Sequence, residues 1–147
     1  MAHEQLKLNN QVCFRLYTAS RLTTQAYEPF LNKLGITYTQ YLVLMVLWEE
    51  DNQPINDIGK KLMLGINTIS PLIKRMESMG LLQRRTGEND KRQQIVCLTE
   101  QSRQMEAEAA RIPGCMVEAA SEKGFNAESF LKLIPLLDDY IQKMTQS

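Results

Sequence analysis

Cys13, Cys97 and Cys115 are the residues of this chain with the widest chemical reach. A deprotonated thiol can attack an electrophile, ligate a metal, or pass through sulfenic acid to a disulfide. Spacing narrows these choices. No cysteine belongs to a Cys-x-x-Cys pair, and the single histidine, His3, falls in a terminus expected to be mobile, so neither a metal site nor a cofactor is expected. A thiol peroxidase that merely consumes hydroperoxides is disfavoured for a related reason: no disulfide-oxidoreductase motif or recycling partner is evident. Cys13 lies among residues spaced for an amphipathic helix, where a small thiol ordinarily packs into a core, so packing and redox chemistry both stay open for it. Cys97 alternates with Val96 and Leu98 and reads as strand packing.

The other group with chemical reach is basic. Seventeen Lys and Arg against seventeen Asp and Glu sum to a formal charge of zero, which taken whole argues against a nucleic-acid partner. The distribution says otherwise. Residues 72–99 hold Lys74, Arg75, Arg84, Arg85, Lys91 and Arg92 against Glu77, Glu88 and Asp90, a net of +3, whereas residues 100–147 carry five basic and eight acidic side chains, a net of −3. Phosphate contacts are short-range, so a local surplus is what they need. An ordinary solvated surface remains the alternative on charge alone.

At 147 residues, 44% hydrophobic and 23% charged, the chain fits one compact domain or a pair of interlocked subunits. No run of about 18 apolar residues occurs and the first residues lack the apolar core of a signal peptide, so membrane span and secretion are not expected and the cytoplasm is. Periodicity reads mostly as helix. One helix is expected from Leu6 to about Tyr27, with Pro29 either kinking it or opening a short helix that ends at Gly35. A second, apolar nearly all round, runs from about Thr39 to Glu50. Residues 51–54 read as a loop. A third helix runs from about Asn56, a plausible cap, to Leu64, with Gly65 ending it, and a fourth from Asn67 or Thr68 to Gly80. Leu81–Arg85 and Gln93–Thr99 read as two strands around a polar turn, a basic β-hairpin. Helix resumes from Glu100 to Ser121, interrupted at Pro113-Gly114, and from Ala127 to Met144 after a candidate cap, Asn126.

Helix, short turn, helix and basic hairpin is the order of a winged helix-turn-helix, in which one helix enters the major groove and the hairpin follows the backbone or the minor groove. A single small reader covers one half-site. Amphipathic terminal helices that pair with those of a second copy supply the two-fold symmetry of a pseudo-palindromic operator, so a homodimer on double-stranded DNA is expected. A helical bundle with an incidental hairpin is the competing reading. With no repeat or long linker, the expected organisation is one domain over 1–147, with residues 36–99 as reader and residues 1–35 and 100–147 as dimerisation helices.

Ile36-Thr37-Tyr38-Thr39-Gln40-Tyr41-Leu42-Val43-Leu44, Pro71-Leu72-Ile73-Lys74-Arg75-Met76-Glu77-Ser78-Met79-Gly80-Leu81-Leu82, and Asp90-Lys91-Arg92 followed by Leu98-Thr99-Glu100 resemble the MarR family of winged-helix regulators. Asn10-Gln11-Val12-Cys13-Phe14-Arg15-Leu16-Tyr17 and Ile112-Pro113-Gly114 resemble its organic-hydroperoxide-sensing, OhrR-like branch. The resemblance spans about residues 6–142. It implies a mostly α fold with a small β wing, dimerised through its N- and C-terminal helices, and a repressor rather than an enzyme.

By position, the resemblance implies a reading helix from Thr68 to Met79. Thr68 and Ser70 would then face base edges or phosphates, and Lys74 and Arg75 the backbone. Pro71, taken as lying in the first turns, costs little there. In the wing, Asp90 would brace the hairpin and Arg92 enter the minor groove, with Lys91 and Arg84 or Arg85 adding phosphate contacts. Gly65-Ile66-Asn67-Thr68 departs from the Asp-Ser-Gly-Thr type of start usual in the branch. Cys13 matches the peroxide-sensing thiol, Tyr17, Tyr27 and Tyr38 the tyrosines around it, and Cys115 the resolving thiol that the other subunit supplies in two-cysteine members. The implied function is a repressor released from DNA when organic hydroperoxide oxidises Cys13 and Cys115 closes an intersubunit disulfide. Release by a small aromatic ligand, as in other MarR relatives, is the alternative.

Overall fold

The computed structural model describes residues 3–146, and the chain divides after Ala109 into two compact units. The first opens with two single 3-10 turns, Glu4–Leu6 and Leu8–Asn10, ahead of helix α1, Val12–Leu34. The helix expected from Leu6 therefore starts later. Gln11 is extended, and its side-chain amide donates to the carbonyls of Gln5 and Lys7 at 2.7 and 2.9 Å, closing the turns in place of a continuing helix. No separate helix begins at Pro29. α1 passes through it unbroken, because the flanking residues are tied down by the buried Leu31 and the half-buried Tyr27 and Phe30.

Helix α2, Tyr38–Glu49, is started by a reciprocal cap: the Gln40 N–H donates to Thr37 Oγ1 at 3.3 Å and the Thr37 N–H to Gln40 Oε1 at 2.9 Å. It buries Tyr41, Val43, Leu44 and Leu47, but Met45 is 42% exposed, so the helix is not apolar-packed all round. Residues 51–54, read as a loop, contain strand β1, Gln53–Pro54, followed at once by α3, Ile55–Leu62. Asn56 is thus inside α3 and does not cap it. Pro54 holds that position with its fixed φ of −61°, which lets Ile55 and Ile58 turn into the core.

α3 ends at Met63, in the left-handed conformation with φ 57°, two residues before the glycine expected to end it. Gly65 instead opens α4, Ile66–Ser78, without a side-chain cap. Pro71 is then the sixth residue of α4, past the first turn, and its missing N–H leaves the Asn67 carbonyl without an i+4 donor. Strands β2, Leu82–Thr86, and β3, Gln94–Leu98, form the hairpin in the register Leu82↔Leu98, Arg84↔Val96, Thr86↔Gln94. β1 adds Gln53↔Val96 and Pro54↔Ile95, so the sheet is three-stranded and antiparallel, in the order β1-β3-β2, rather than a lone hairpin. Proline is tolerated in β1 because that strand is an edge.

Polar side chains bind the base of the sheet to the helices. Asp51 Oδ1 accepts the Leu98 N–H at 2.9 Å, and its Oδ2 lies 3.4 Å from Arg103. The buried Gln53 amide donates to the carbonyls of Val46 and Glu50 and accepts from Lys61 Nζ at 2.6 Å. The helix expected over 100–121 is divided earlier than Pro113-Gly114, into α5, Glu100–Gln104, α6, Glu106–Ala109, and α7, Ile112–Glu122. Pro113 sits in the first turn of α7, where its lost N–H has no partner to lose. α7 and α8, Ala127–Thr145, make up the second unit, and Asn126 Oδ1 caps α8 by accepting the Ser129 N–H at 3.0 Å. α8 buries none of its residues, and Leu131, Leu136 and Met144 are 66, 71 and 68% exposed. No helix among the described residues is long and apolar enough to cross a membrane.

The turn between α3 and α4 depends on a close approach at Gly59, where a Cβ would lie 2.9 Å from the Leu64 carbonyl oxygen and 3.4 Å from Ile69 Cγ2. Gly59→Ala should therefore cost about 1–3 kcal/mol in urea unfolding, as overpacking does. Gly114→Ala, with open space around it, should not destabilise, and equal midpoints for the two variants would refute the packing argument.

Candidate nucleic-acid interface and thiol sites

α4 has two faces. Ile69, Ile73 and Met76 are buried, which turns Thr68, Pro71, Lys74 and Arg75 outward and leaves Ser70 half-buried between them. The wing is shaped by its own turn: the Gly87 N–H donates to the Gln93 carbonyl at 2.9 Å and the Gln93 N–H to the Asp90 carbonyl at 3.1 Å. Asp90 Oδ1 accepts the Arg92 N–H at 3.0 Å and lies 3.5 Å from its Nε, while the Arg92 side chain is 94% exposed. Lys91 and Arg85 are exposed as well. A cleft of about 530 Å³ separates helix from wing, with Asn56, Ile66, Ser70, Asp90 and Arg92 among its walls.

The two candidate arginines of β2 differ. Arg84 is turned back onto α4, its Nη2 donating to Glu77 at 3.0 Å and its Nε to both carboxylate oxygens at 3.3 Å. Those hydrogen bonds hold the Glu77 carboxyl below the usual carboxylate range; desolvation opposes them and the charges of Arg84 and Lys74 add to them. Arg84 thus fastens the wing to α4, and Arg85 is the one left open to solvent.

All three thiols are free. Cys13 is exposed in the first turn of α1, Cys115 is half-buried on α7, and Cys97 is half-buried with its Sγ 3.7 Å from the Gln83 carbonyl. Tyr17 follows Cys13 by one turn and is 67% exposed. Tyr27 and Tyr38 meet at 4.9 Å between ring centroids, and Tyr41 joins them at 5.9 and 6.2 Å. Burial, then the neighbouring Tyr38, pushes the Tyr27 phenol up; burial, then Tyr27 and Tyr38, does the same to Tyr41. Both stay protonated donors near neutral pH.

Residues 25–108 match the family described as transcriptional regulator SarA/Rot. The organic hydroperoxide resistance transcriptional regulator of Bacillus subtilis is 38% identical over 141 residues, covering 95% of this chain and 96% of that protein. The chain belongs to the SarA/Rot, MarR-like family of winged-helix transcriptional regulators. Two solved structures of AbfR, a protein of Staphylococcus epidermidis, are similar over nearly the whole chain. The overoxidised form bound to DNA is 39% identical at a TM-score of 0.76, covering 98% of this chain and 100% of that one. The disulfide form is 40% identical at a TM-score of 0.67, covering 95% of each. The family consists of regulators, not enzymes.

In this regulator Ser70 of α4 borders one cleft with Asp90 and Arg92 of the wing, whereas Thr68, Pro71, Lys74 and Arg75 face solvent outside its lining, and Tyr27 and Tyr38 share one cluster. Tyr17 stands outside that cluster. Tyr41 was missed, although its place three residues after Tyr38 puts the two on one face of α2. The Glu77–Arg84 pair was missed too, since an ion pair between a helix and a strand has no spacing signature.

Because the folded state lowers the Glu77 pKa, the pair stabilises the fold above the ordinary carboxylate value and is lost as the pH falls through the folded one. Glu77→Gln should accordingly flatten the decline of the urea midpoint below about pH 4.3. Parallel pH profiles for the two proteins would contradict the pairing.

Proposed function

We propose that this protein is a homodimeric, DNA-binding transcriptional repressor of the cytoplasm that senses organic hydroperoxides through Cys13. The observation that carries the reading is the free, exposed Cys13 thiol on α1 of a chain whose reader offers an exposed helix face beside an exposed wing arginine. The Bacillus relative and the oxidised and disulfide forms of AbfR support the same chemistry.

The Cys13 thiolate attacks the terminal oxygen of the hydroperoxide. The O–O bond breaks, the leaving alkoxide takes a proton and departs as the alcohol, and Cys13 becomes a sulfenic acid. Cys115 of the partner subunit then attacks that sulfur, expelling water and forming an intersubunit disulfide. The bond needs the two Cα atoms within about 7 Å, and closing that gap rotates the two readers off their half-site spacing. Dimerisation is supported by the apolar residues that both ends of the chain expose, Leu6, Leu8 and Val12 near the start and Leu131, Leu136 and Met144 on α8. On DNA, Thr68, Ser70 and Pro71 lie toward the groove, Lys74, Arg75, Arg85 and Lys91 toward phosphates, and Arg92, braced by Asp90, in the minor groove.

Release by a small aromatic ligand has one observation in its favour, a pocket of about 220 Å³ between α1 and α2 lined by Leu31, Ile36 and Tyr38. That is below the roughly 300–1,000 Å³ usual for ligand sites, so oxidation is preferred.

One equivalent of cumene hydroperoxide should convert the purified protein to a covalent dimer on a non-reducing gel and release its operator. Cys115→Ser should form no covalent dimer, and Cys13→Ser should bind the operator yet ignore the oxidant. Release that persists in Cys13→Ser overturns the sensing role; a wild-type protein that forms no covalent dimer overturns the two-cysteine step. Separately, Lys91→Ala should reduce the slope of log affinity against log salt by about one per subunit, and an unchanged slope removes Lys91 from the phosphate contacts.

A further inference from the structure

Ile66 is the first residue of α4 and has no structural task there. The core face of the helix is complete with Ile69, Ile73 and Met76, all buried, whereas Ile66 is 55% exposed and lines the helix–wing cleft alongside Ser70, Asp90 and Arg92. Every other cleft residue contributed by α4 or the wing is polar or charged. Gly65 before it brings no side chain, and nothing lies within 4 Å of where a Cβ would stand, so the approach to Ile66 is open.

Pro54 and the buried Ile55 also line the cleft, but Ile66 is the one apolar side chain that α4 and the wing bring to it, and an exposed, branched alkyl group there discriminates among base pairs in a specific way. Major-groove edges present donors and acceptors, with a single large apolar feature, the C5 methyl of thymine. Against that methyl, Ile66 removes apolar surface of both partners from water. Against a guanine or cytosine edge it strips water from a polar group and returns no hydrogen bond, which is a penalty. Attraction and rejection therefore act together. The two side-chain torsions of a β-branched residue leave little entropy to lose on contact.

We infer that Ile66 is a sequence-specificity residue that reads one thymine methyl in each half-site of the operator. The inference rests on the DNA-reading function proposed above, and adds to it a contact made by an apolar side chain where the polar residues of α4 and the wing supply the rest.

The test starts from an operator selected by the wild-type protein from random duplexes, followed by replacement of each thymine in turn by uracil, which deletes only the methyl. One position per half-site should then bind wild type about three- to fivefold more weakly, the loss expected for one buried methyl. Ile66→Ala should bind the thymine and uracil duplexes at that position equally, and Ile66→Val should retain part of the difference. Since Ile66 lies outside the core, thermal unfolding of both variants should match wild type, which separates lost reading from lost fold. Uracil sensitivity that is the same in wild type and Ile66→Ala, or absent from wild type at every thymine, overturns the assignment while leaving DNA binding intact. A wild-type protein that selects no duplex overturns the proposed function, and this inference with it.

Discussion

The rest of the structure depends on how α4 is divided between core and solvent. Ile69, Ile73 and Met76 recur at helical spacing and are almost fully buried, so the helix cannot rotate about its axis without exposing one of them. Burying each such side chain is worth about 1.5–3 kcal/mol, comparable to a large part of the stability of a small domain. With rotation forbidden, the directions of Thr68, Pro71, Lys74 and Arg75 are set by packing on the opposite side. Two further contacts fix where α4 ends up. Gly59 lets it approach α3 closely, and the Arg84–Glu77 pair ties its last turns to β2. Reader and wing behave as one surface because the same helix is clamped from both sides.

The base of the sheet solves a different problem. A two-stranded ribbon is marginal by itself in water. Here β3 is central, with β2 on one side and the short β1 on the other, and the Asp51 carboxylate accepts the Leu98 N–H just beyond the last β1 pair. Asp51 also faces Arg103 of α5, while Trp48 of α2 donates to the Ser102 carbonyl at 3.0 Å. The wing is thereby rooted in both helices that border it, and only its turn, residues 87–93, projects. The pattern leaves Arg92 exposed at the tip while the hairpin backbone stays in register.

Much of this was legible because it follows local rules. The α4 stripe, the hairpin and the Asn126 cap each follow from neighbours within a few residues, and the two strands came out within one residue of their observed limits. What escaped was set by distant partners. β1 is two residues long, contains a proline, and exists only because β3 lies beside it. Arg84 reads as a phosphate contact until Glu77, seven residues earlier, is placed opposite it. α1 starts at Val12 rather than Leu6 because the Gln11 amide turns back on two carbonyls, a choice that apolar periodicity does not register. A start at Asn67 or Thr68 would put Pro71 in the first turn at little cost; with the start at Ile66, one interior hydrogen bond is missing from α4 itself.

α1 joins the exposed thiol to the buried part of this unit. Cys13 and Tyr27 are on one continuous helix, roughly 21 Å apart at 1.5 Å per residue. Beyond Tyr27, Leu31 is buried, and the Tyr27 ring packs against Tyr38 and Tyr41 of α2, whose own ring approaches Trp48. Tyr41 and Trp48 belong to the helix that supports the base of the sheet. A displacement imposed at the Cys13 end is therefore resisted chiefly at the tyrosine cluster, which must either move as a block with α2 or separate from it. Separation exposes aromatic surface, whereas block movement keeps those contacts. Close packing thus resists separation of α1 from α2 at this cluster.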